Sequence, residues 1–229
     1  MGPAARPLCV VLASASPRRQ ALLADAGVAF AVAPTHVDET LPPAERPEEA
    51  AEALALRKAQ AAVARWAQHG PEAGDLWIGA DTIVALGENG PDLEYLEKPL
   101  DAADARRMLQ RLSGSRHRVI TGVAVLAVDA HGAVRDWVSH ERTWVQMRPI
   151  TAAEVDAYVA SGEWEGKAGG YAIQETADAF VTGLEEGGFD NVVGLPVALT
   201  LRLLGQARAS LAGGAVEPLP STPDPGDEP

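Results

Sequence analysis

A serine, a proline and two consecutive arginines, set where an apolar segment gives way to an Ala/Leu-rich one, have the chemistry of a phosphate grip. The run is Leu12-Ala13-Ser14-Ala15-Ser16-Pro17-Arg18-Arg19. Ser16 suits a helix N-cap, and Pro17 suits the first helical position, where its missing N–H costs nothing. Free backbone donors at such a start favour an anion, and two guanidinium groups beside it can hold phosphate oxygens bidentately. The plain alternative is a surface helix with ordinary basic residues in its first turn. Cations there oppose the helix dipole, which argues mildly for a bound anion.

Other charged residues extend the theme. The chain uses arginine almost throughout and has three lysines, Lys58, Lys98 and Lys167. Each sits in a short segment with motif character: Arg57-Lys58-Ala59, Glu97-Lys98-Pro99 and Gly166-Lys167-Ala168-Gly169-Gly170. A lysine retained against an arginine bias suits a site needing a compact point charge rather than a planar fork. Asp81 follows an apolar strand in Gly79-Ala80-Asp81-Thr82. In open α/β sheets ligands gather at the carboxyl ends of strands, where Ser14 to Arg19 also emerges. A carboxylate there, opposed by cations, can hold Mg²⁺ or orient a water, and Glu39 is a candidate second acid. For Asp81 alone, structural capping is the commoner role. Set beside the arginines and lysines, phosphoryl chemistry gains weight, because it needs both an acid and charge-neutralising bases. His117 reads either as the polar end of a strand or as a ligand contact.

The elements that must position these residues alternate. Strand character covers 8–14, 29–33, 76–86, 93–96, 119–128, 134–147 and 179–182. Helix character covers 17–26, 48–68, 101–112, 151–161 and 196–208. Turns are expected at 69–71, 87–92 and 131–132, a Gly-rich loop before the last helix, and irregular chain over 162–174. Val119 to Val128 is nearly all apolar with many β-branched residues, which predicts a central strand buried on both faces. Thr151 and Glu154 form a capping-box pair. The alternation predicts an α/β fold, and the return strands make its sheet mixed. Residues 1–211 are read as one domain. Residues 212–229 carry five prolines and four acids with no base, the composition of a disordered tail.

Composition narrows the function. A net charge of −13 weighs against nucleic acid as a partner, since duplex binding draws on many phosphate contacts. It leaves room for a small phosphate ligand, because screening over about 8 Å lets a local cation cluster govern a pocket. The single cysteine, Cys9, excludes a disulfide framework and a cysteine-rich zinc site, and suits a cytoplasmic protein. No apolar run reaches the roughly 18 residues of a membrane span. The apolar stretch before Ala13-Ser14-Ala15 is too short for a signal peptide, and Pro3 and Arg6 spoil a myristoylation motif. No P-loop or nucleophile elbow is present.

Eight segments together resemble the Maf family of nucleoside triphosphate pyrophosphatases. They are LASASPRR at 12–19, VDE at 37–39, LRKA at 56–59, GADTIV at 79–84, EKP at 97–99, LSGSRHRVITGVAV at 112–125, GKAGGYAIQ at 166–174 and NVVGLP at 191–196. They keep the family's order across almost the whole chain. The resemblance implies a Maf/inosine-triphosphate-pyrophosphatase-like α/β fold: a mixed twisted sheet flanked by helices, with two lobes around a deep cleft. It implies a cytoplasmic enzyme, commonly a homodimer, that hydrolyses a nucleoside triphosphate to the monophosphate and pyrophosphate with Mg²⁺ or Mn²⁺. Asp81 matches the family's catalytic acid. Ser14, Arg18, Arg19, Lys58 and Lys98 match substrate-binding positions, and Asp81 with Glu39 the metal ligands. Arg19, Thr82 and Gln174 match the pattern of the branch acting on dTTP and UTP. Glu175, the acidic Gly183–Asp190 loop and residues 161–166 depart from the pattern and bear on base selectivity. The competing expectations are a nucleotide-binding regulator of cell division, and a pyrophosphatase acting on 7-methyl-GTP or other modified nucleotides.

Overall fold

A computed structural model describes residues 9–40, 46–67, 75–87, 92–129 and 133–212. Among these residues the sheet has seven strands: β1 (Val10–Leu12), β2 (Phe30–Val32), β3 (Leu76–Leu86), β4 (Glu94–Leu96), β5 (Arg116–Val128), β6 (Val134–Met147) and β7 (Val181–Glu185). Their order is β2-β1-β3-β5-β6-β7, with β4 pairing to the far end of β3. β1 runs parallel to β2 and β3, and all other pairings are antiparallel. The sheet is mixed, as the alternation and return strands predict.

Among the described residues six α-helices cover it: α1 (Pro17–Asp25), α2 (Pro47–Ala67), α3 (Ala102–Leu112), α4 (Ala152–Ser161), α5 (Phe189–Val193) and α6 (Val197–Leu211). Successive side chains of a strand point to opposite faces, and β3 shows the consequence. Leu76, Ile78 and Ala80 join a core formed with Leu23 of α1 and Leu199, Leu203 and Leu204 of α6. Trp77 joins Ala55, Ala59 and Ala62 of α2 on the other face. A second lobe surrounds the far ends of the long strands. There Met108, Leu109 and Leu112 of α3 meet Val155 and Tyr158 of α4, together with Val84, Val119 and Val145.

Helix α2 lies flush on the sheet because two strand positions lack a Cβ. One added at Gly79 would stand 2.2 Å from the Ala55 carbonyl, and one at Gly122 2.2 Å from that of Ala51. Helix starts follow local chemistry. Asp101 accepts from the Asp104 N–H at 2.8 Å, and Thr151 and Glu154 form the expected capping box.

Several boundaries move. β5 begins at Arg116 rather than 119, because His117 and Arg118 find buried partners and stay in the sheet. The last strand is Val181–Glu185 instead of 179–182, and the following Gly-rich loop contains the short helix α5. The irregular stretch 162–174 holds a 3-10 turn at Ala168–Gly170. The turns expected at 69–71 and 131–132, most of that at 87–92, and the tail from 213 onward lie outside the described residues. Among the described residues no helix is long and apolar enough to cross a membrane.

Candidate active site

Between the lobes lies a cleft of about 690 Å³, continuous in its lining with a smaller cavity of about 290 Å³ that shares Glu39, Asp81, Thr82 and Lys98. One wall is the β1–α1 junction. Ser16 caps α1, its hydroxyl accepting from the Arg19 N–H, and Pro17 takes the first helical position. Ser14 is buried and its Oγ accepts from the Ser16 N–H at 3.2 Å and from Arg19 Nη1 at 3.4 Å. Arg18 lines the cleft, and its side chain has no hydrogen-bond partner among the described residues.

Arg19 behaves differently from its neighbour. Its Nε donates to the Gly194 carbonyl at 2.7 Å and its Nη2 to Thr82 Oγ1 at 3.1 Å. Burial pulls its pKa down, against Asp81, which raises it. The guanidinium remains a cation, given its high starting value.

The acids and lysines converge at the opposite wall. Lys58, on the sheet-facing side of α2, is buried and places its Nζ 2.5 Å from Asp81 Oδ1 and 2.7 Å from Glu39 Oε1. Lys98, after β4, donates to the other oxygen of Glu39. Glu39 therefore bridges both ammonium groups. Its burial raises the pKa, but the hydrogen bonds and charges of Lys58 and Lys98 outweigh that and carry it down to about 2. The loop bearing Glu39 is tied from beneath by Arg57, whose Nη1 donates to the Asp38 carbonyl at 2.6 Å and that of Thr40 at 3.3 Å. Arg65 holds the loop's start through the Pro34 carbonyl.

The second lobe supplies the remaining wall from Glu165 to Glu175. Lys167 lines it but is engaged at home: its Nζ donates to the Glu163 carbonyl and lies 3.8 Å from Glu175. Gln174 is exposed at the rim of the cleft. Behind the wall, Tyr171 Oη sits 2.8 Å from Nε2 of the fully buried His117. His117, the second residue of β5, is thus a polar strand end with its ring buried against Tyr171, and it does not line the cleft. Burial holds its imidazole neutral, with a pKa near 3. The acidic Gly183–Asp190 segment is outside the cleft lining, with Glu185 paired to Arg116 and Glu186 to Arg142.

The cleft thus gathers Ser14, Arg18, Arg19, Glu39, Lys58, Asp81, Thr82, Lys98 and Gln174. Chemically it offers cations to an anionic ligand and two carboxylates converging on one cation position. Among the described residues no group of three or more His, Cys, Asp or Glu side chains is placed to hold a metal. The Arg57 tie escapes sequence reading, although Arg57 lies in a flagged segment, because its partners are backbone carbonyls.

The family model described as Maf-like protein matches residues 9–207. A protein of Symbiobacterium thermophilum named dTTP/UTP pyrophosphatase is 43% identical over 86% of this chain and 93% of its own. Proteins of the same name from Pelotomaculum thermopropionicum and Caulobacter vibrioides are 47% and 44% identical, over 82% and 85% of this chain and 91% and 93% of theirs. A solved nucleoside-triphosphatase / dITP/XTP pyrophosphatase of Mycobacterium abscessus, 16% identical, covers 68% of this chain and 95% of its own. At a TM-score of 0.36 that likeness is too loose to argue from. The near-complete family match and the identity of these relatives over most of both chains establish that the chain belongs to the Maf family.

Proposed function

We propose that the protein hydrolyses nucleoside triphosphates, dTTP and UTP foremost, to the monophosphate and pyrophosphate. The observation that carries this reading is Lys58, buried and held between the carboxylates of Asp81 and Glu39, in a cleft faced by Arg18 and Arg19. A triphosphate brings about four negative charges at neutral pH. Arg18, Arg19, Lys58 and Lys98 supply matching charge, and Ser14 adds a hydroxyl at the start of α1.

In this reaction Asp81 accepts the proton of a water attacking the α-phosphorus in line with the pyrophosphate leaving group. The lysines exchange carboxylate partners for phosphate oxygens as substrate enters. Two carboxylates converging on one cation suit a hard divalent ion, which prefers oxygen donors. Mg²⁺ or Mn²⁺ held by Asp81 and Glu39 would neutralise charge on the phosphates. Thr82 and Gln174 face the nucleoside. A regulator that merely senses nucleotide needs the cations but not Asp81, so the acid-and-base set favours an enzyme.

The same reading takes residues 1–211 as one domain with an acidic tail at 212–229. It makes the protein a cytoplasmic homodimer without nucleic-acid or membrane partners, in keeping with its net charge of −13. The test is an assay of the purified chain with Mg²⁺ against dTTP, UTP, CTP, 7-methyl-GTP and ITP, resolving pyrophosphate from orthophosphate. Pyrophosphate release led by dTTP or UTP is the expected result. Tight binding with no turnover would hand the site to the regulator.

A further inference from the structure

A chain of hydroxyls runs inward from part-buried Thr82 to fully buried Thr121 and has a fixed direction. The Arg19 Nη2–H can do nothing but donate, and it reaches Thr82 Oγ1 at 3.1 Å. Thr82 Oγ1 is 3.0 Å from Thr121 Oγ1, and Thr121 Oγ1 is 2.8 Å from the backbone carbonyl of Asn191. A carbonyl can only accept, and each hydroxyl has one proton. The single proton of Thr121 therefore goes to Asn191, so the contact between the threonines is made by the proton of Thr82. The acceptor end is itself clamped. Asn191 is fully buried, and its Nδ2 donates to the Val119 carbonyl at 3.0 Å and Thr143 Oγ1 at 2.8 Å. The opposite polarity would leave a buried carbonyl without this donor, which is costly.

The consequence falls on Thr82. Its proton is spent inward and one lone pair is taken by Arg19, which leaves one lone pair for the cleft that Thr82 lines. Such a group cannot serve phosphate oxygens, which are acceptors. It selects a ligand atom that donates. We propose that Thr121 is a positioning residue that fixes Thr82 as a hydrogen-bond acceptor toward the cleft, where it takes the imide N–H of a uracil or thymine base. The inference rests on reading the cleft as a nucleoside triphosphate site. Cytosine presents an acceptor at the same ring position and meets Thr82 lone pair to lone pair.

Two experiments test it. With the wild-type chain, pyrophosphate release is compared for UTP, N3-methyl-UTP and 3′-deoxy-UTP. The expected result is a loss of kcat/KM on the order of 10²-fold or more for N3-methyl-UTP, with 3′-deoxy-UTP within a few-fold of UTP. Equal use of N3-methyl-UTP overturns the proposal. Rejection of 3′-deoxy-UTP alone also overturns it, by assigning the donor to the ribose.

In the second experiment Thr121→Val frees the Thr82 proton to turn toward the cleft. The preference for UTP over CTP should fall about tenfold, mainly through KM for UTP, and Thr121→Ser should restore it. In a Thr82→Val background the Thr121→Val change should leave the ratio unmoved. An equal loss on UTP and CTP, or an unchanged ratio, overturns the positioning role. Should the wild type release no pyrophosphate from any nucleotide, the functional reading fails by itself. Affinities for UMP, CMP and N3-methyl-UMP then still read the polarity of Thr82.

Discussion

The cleft wall changes character between two neighbouring residues, Asp81 and Thr82. At the charged end, four side chains, Glu39, Lys58, Lys98 and Asp81, neutralise one another. At the hydroxyl end, which begins at Thr82, Arg19, Thr82, Thr121 and the Asn191 carbonyl are joined by hydrogen bonds of fixed direction. The charged end is partly wet, with the side chains of Glu39 and Lys98 45% and 53% exposed. Exposed ion pairs contribute little and exchange partners readily, so this end can trade carboxylates for phosphates. The hydroxyl end runs into fully buried Thr121 and Asn191, and buried networks of that kind keep one arrangement. The difference separates two tasks: one region rearranges to take charge, and the other holds still to discriminate.

The largest effect should come from the charged end. Asp81→Asn keeps the shape of the side chain but removes the proton acceptor. Turnover should fall by about 10²- to 10⁴-fold, while calorimetry shows nucleotide binding within a few-fold of wild type. Wild-type turnover in this variant would remove Asp81 from the mechanism.

Acid should break the dry side of the molecule first, through His117 behind the Tyr171 wall. Burial lowers its pKa from 6.5 to about 3. The unfolded chain therefore binds a proton near pH 6.5 that the folded chain refuses. The stability linked to this group is complete above pH 6.5 and is lost as pH falls toward 3. By pH 4 the loss should be about 3 kcal/mol, read from urea midpoints. His117→Gln should flatten that part of the profile, and a wild-type profile flat from 6.5 to 4 would contradict the burial argument.

The hydroxyl end can also be broken at its backbone. Gly194 has φ 121 and its carbonyl accepts from Arg19. A Cβ there would lie 3.2 Å from Thr82 Oγ1 and 3.4 Å from Arg19 Nε. Gly194→Ala should destabilise by about 1–3 kcal/mol and raise KM for UTP. Unchanged stability with unchanged KM would mean that this end tolerates movement.

How far all this could be read beforehand follows the range of the interactions. Ser16, Asp101, Thr151 and Glu154 act within one helical turn, and their caps are legible from spacing. The start of β5 is not, since what keeps His117 and Arg118 in the sheet is Tyr171 and the Gly87 carbonyl, 54 and 31 residues away. The charged cluster was legible through family-like motifs; nothing in its spacing says that Lys58 stands between Asp81 and Glu39. Thr121 lies within a family-like segment, yet nothing in its type or spacing marks it out as a positioning residue. Its partner is a backbone carbonyl 70 residues away, and a carbonyl belongs to every residue type.

The smallest effect returns to the charged end and measures how loosely it is held. Glu39 is lowered from 4.5 to about 2, its burial opposed and outweighed by Lys58 and Lys98. A depressed carboxylate contributes stability above pH 4.5 and loses it as pH falls through 2. With nearly half of the side chain exposed, solvent screening leaves about 0.2–1 kcal/mol. Glu39→Gln should cost no more than that at pH 7, and less at high salt. The same variant should need more divalent ion for half-maximal turnover, because the proposed metal would keep one carboxylate. A stability loss of several kcal/mol would mean that Glu39 is locked like Thr121, and the two ends of the cleft would then not differ in kind.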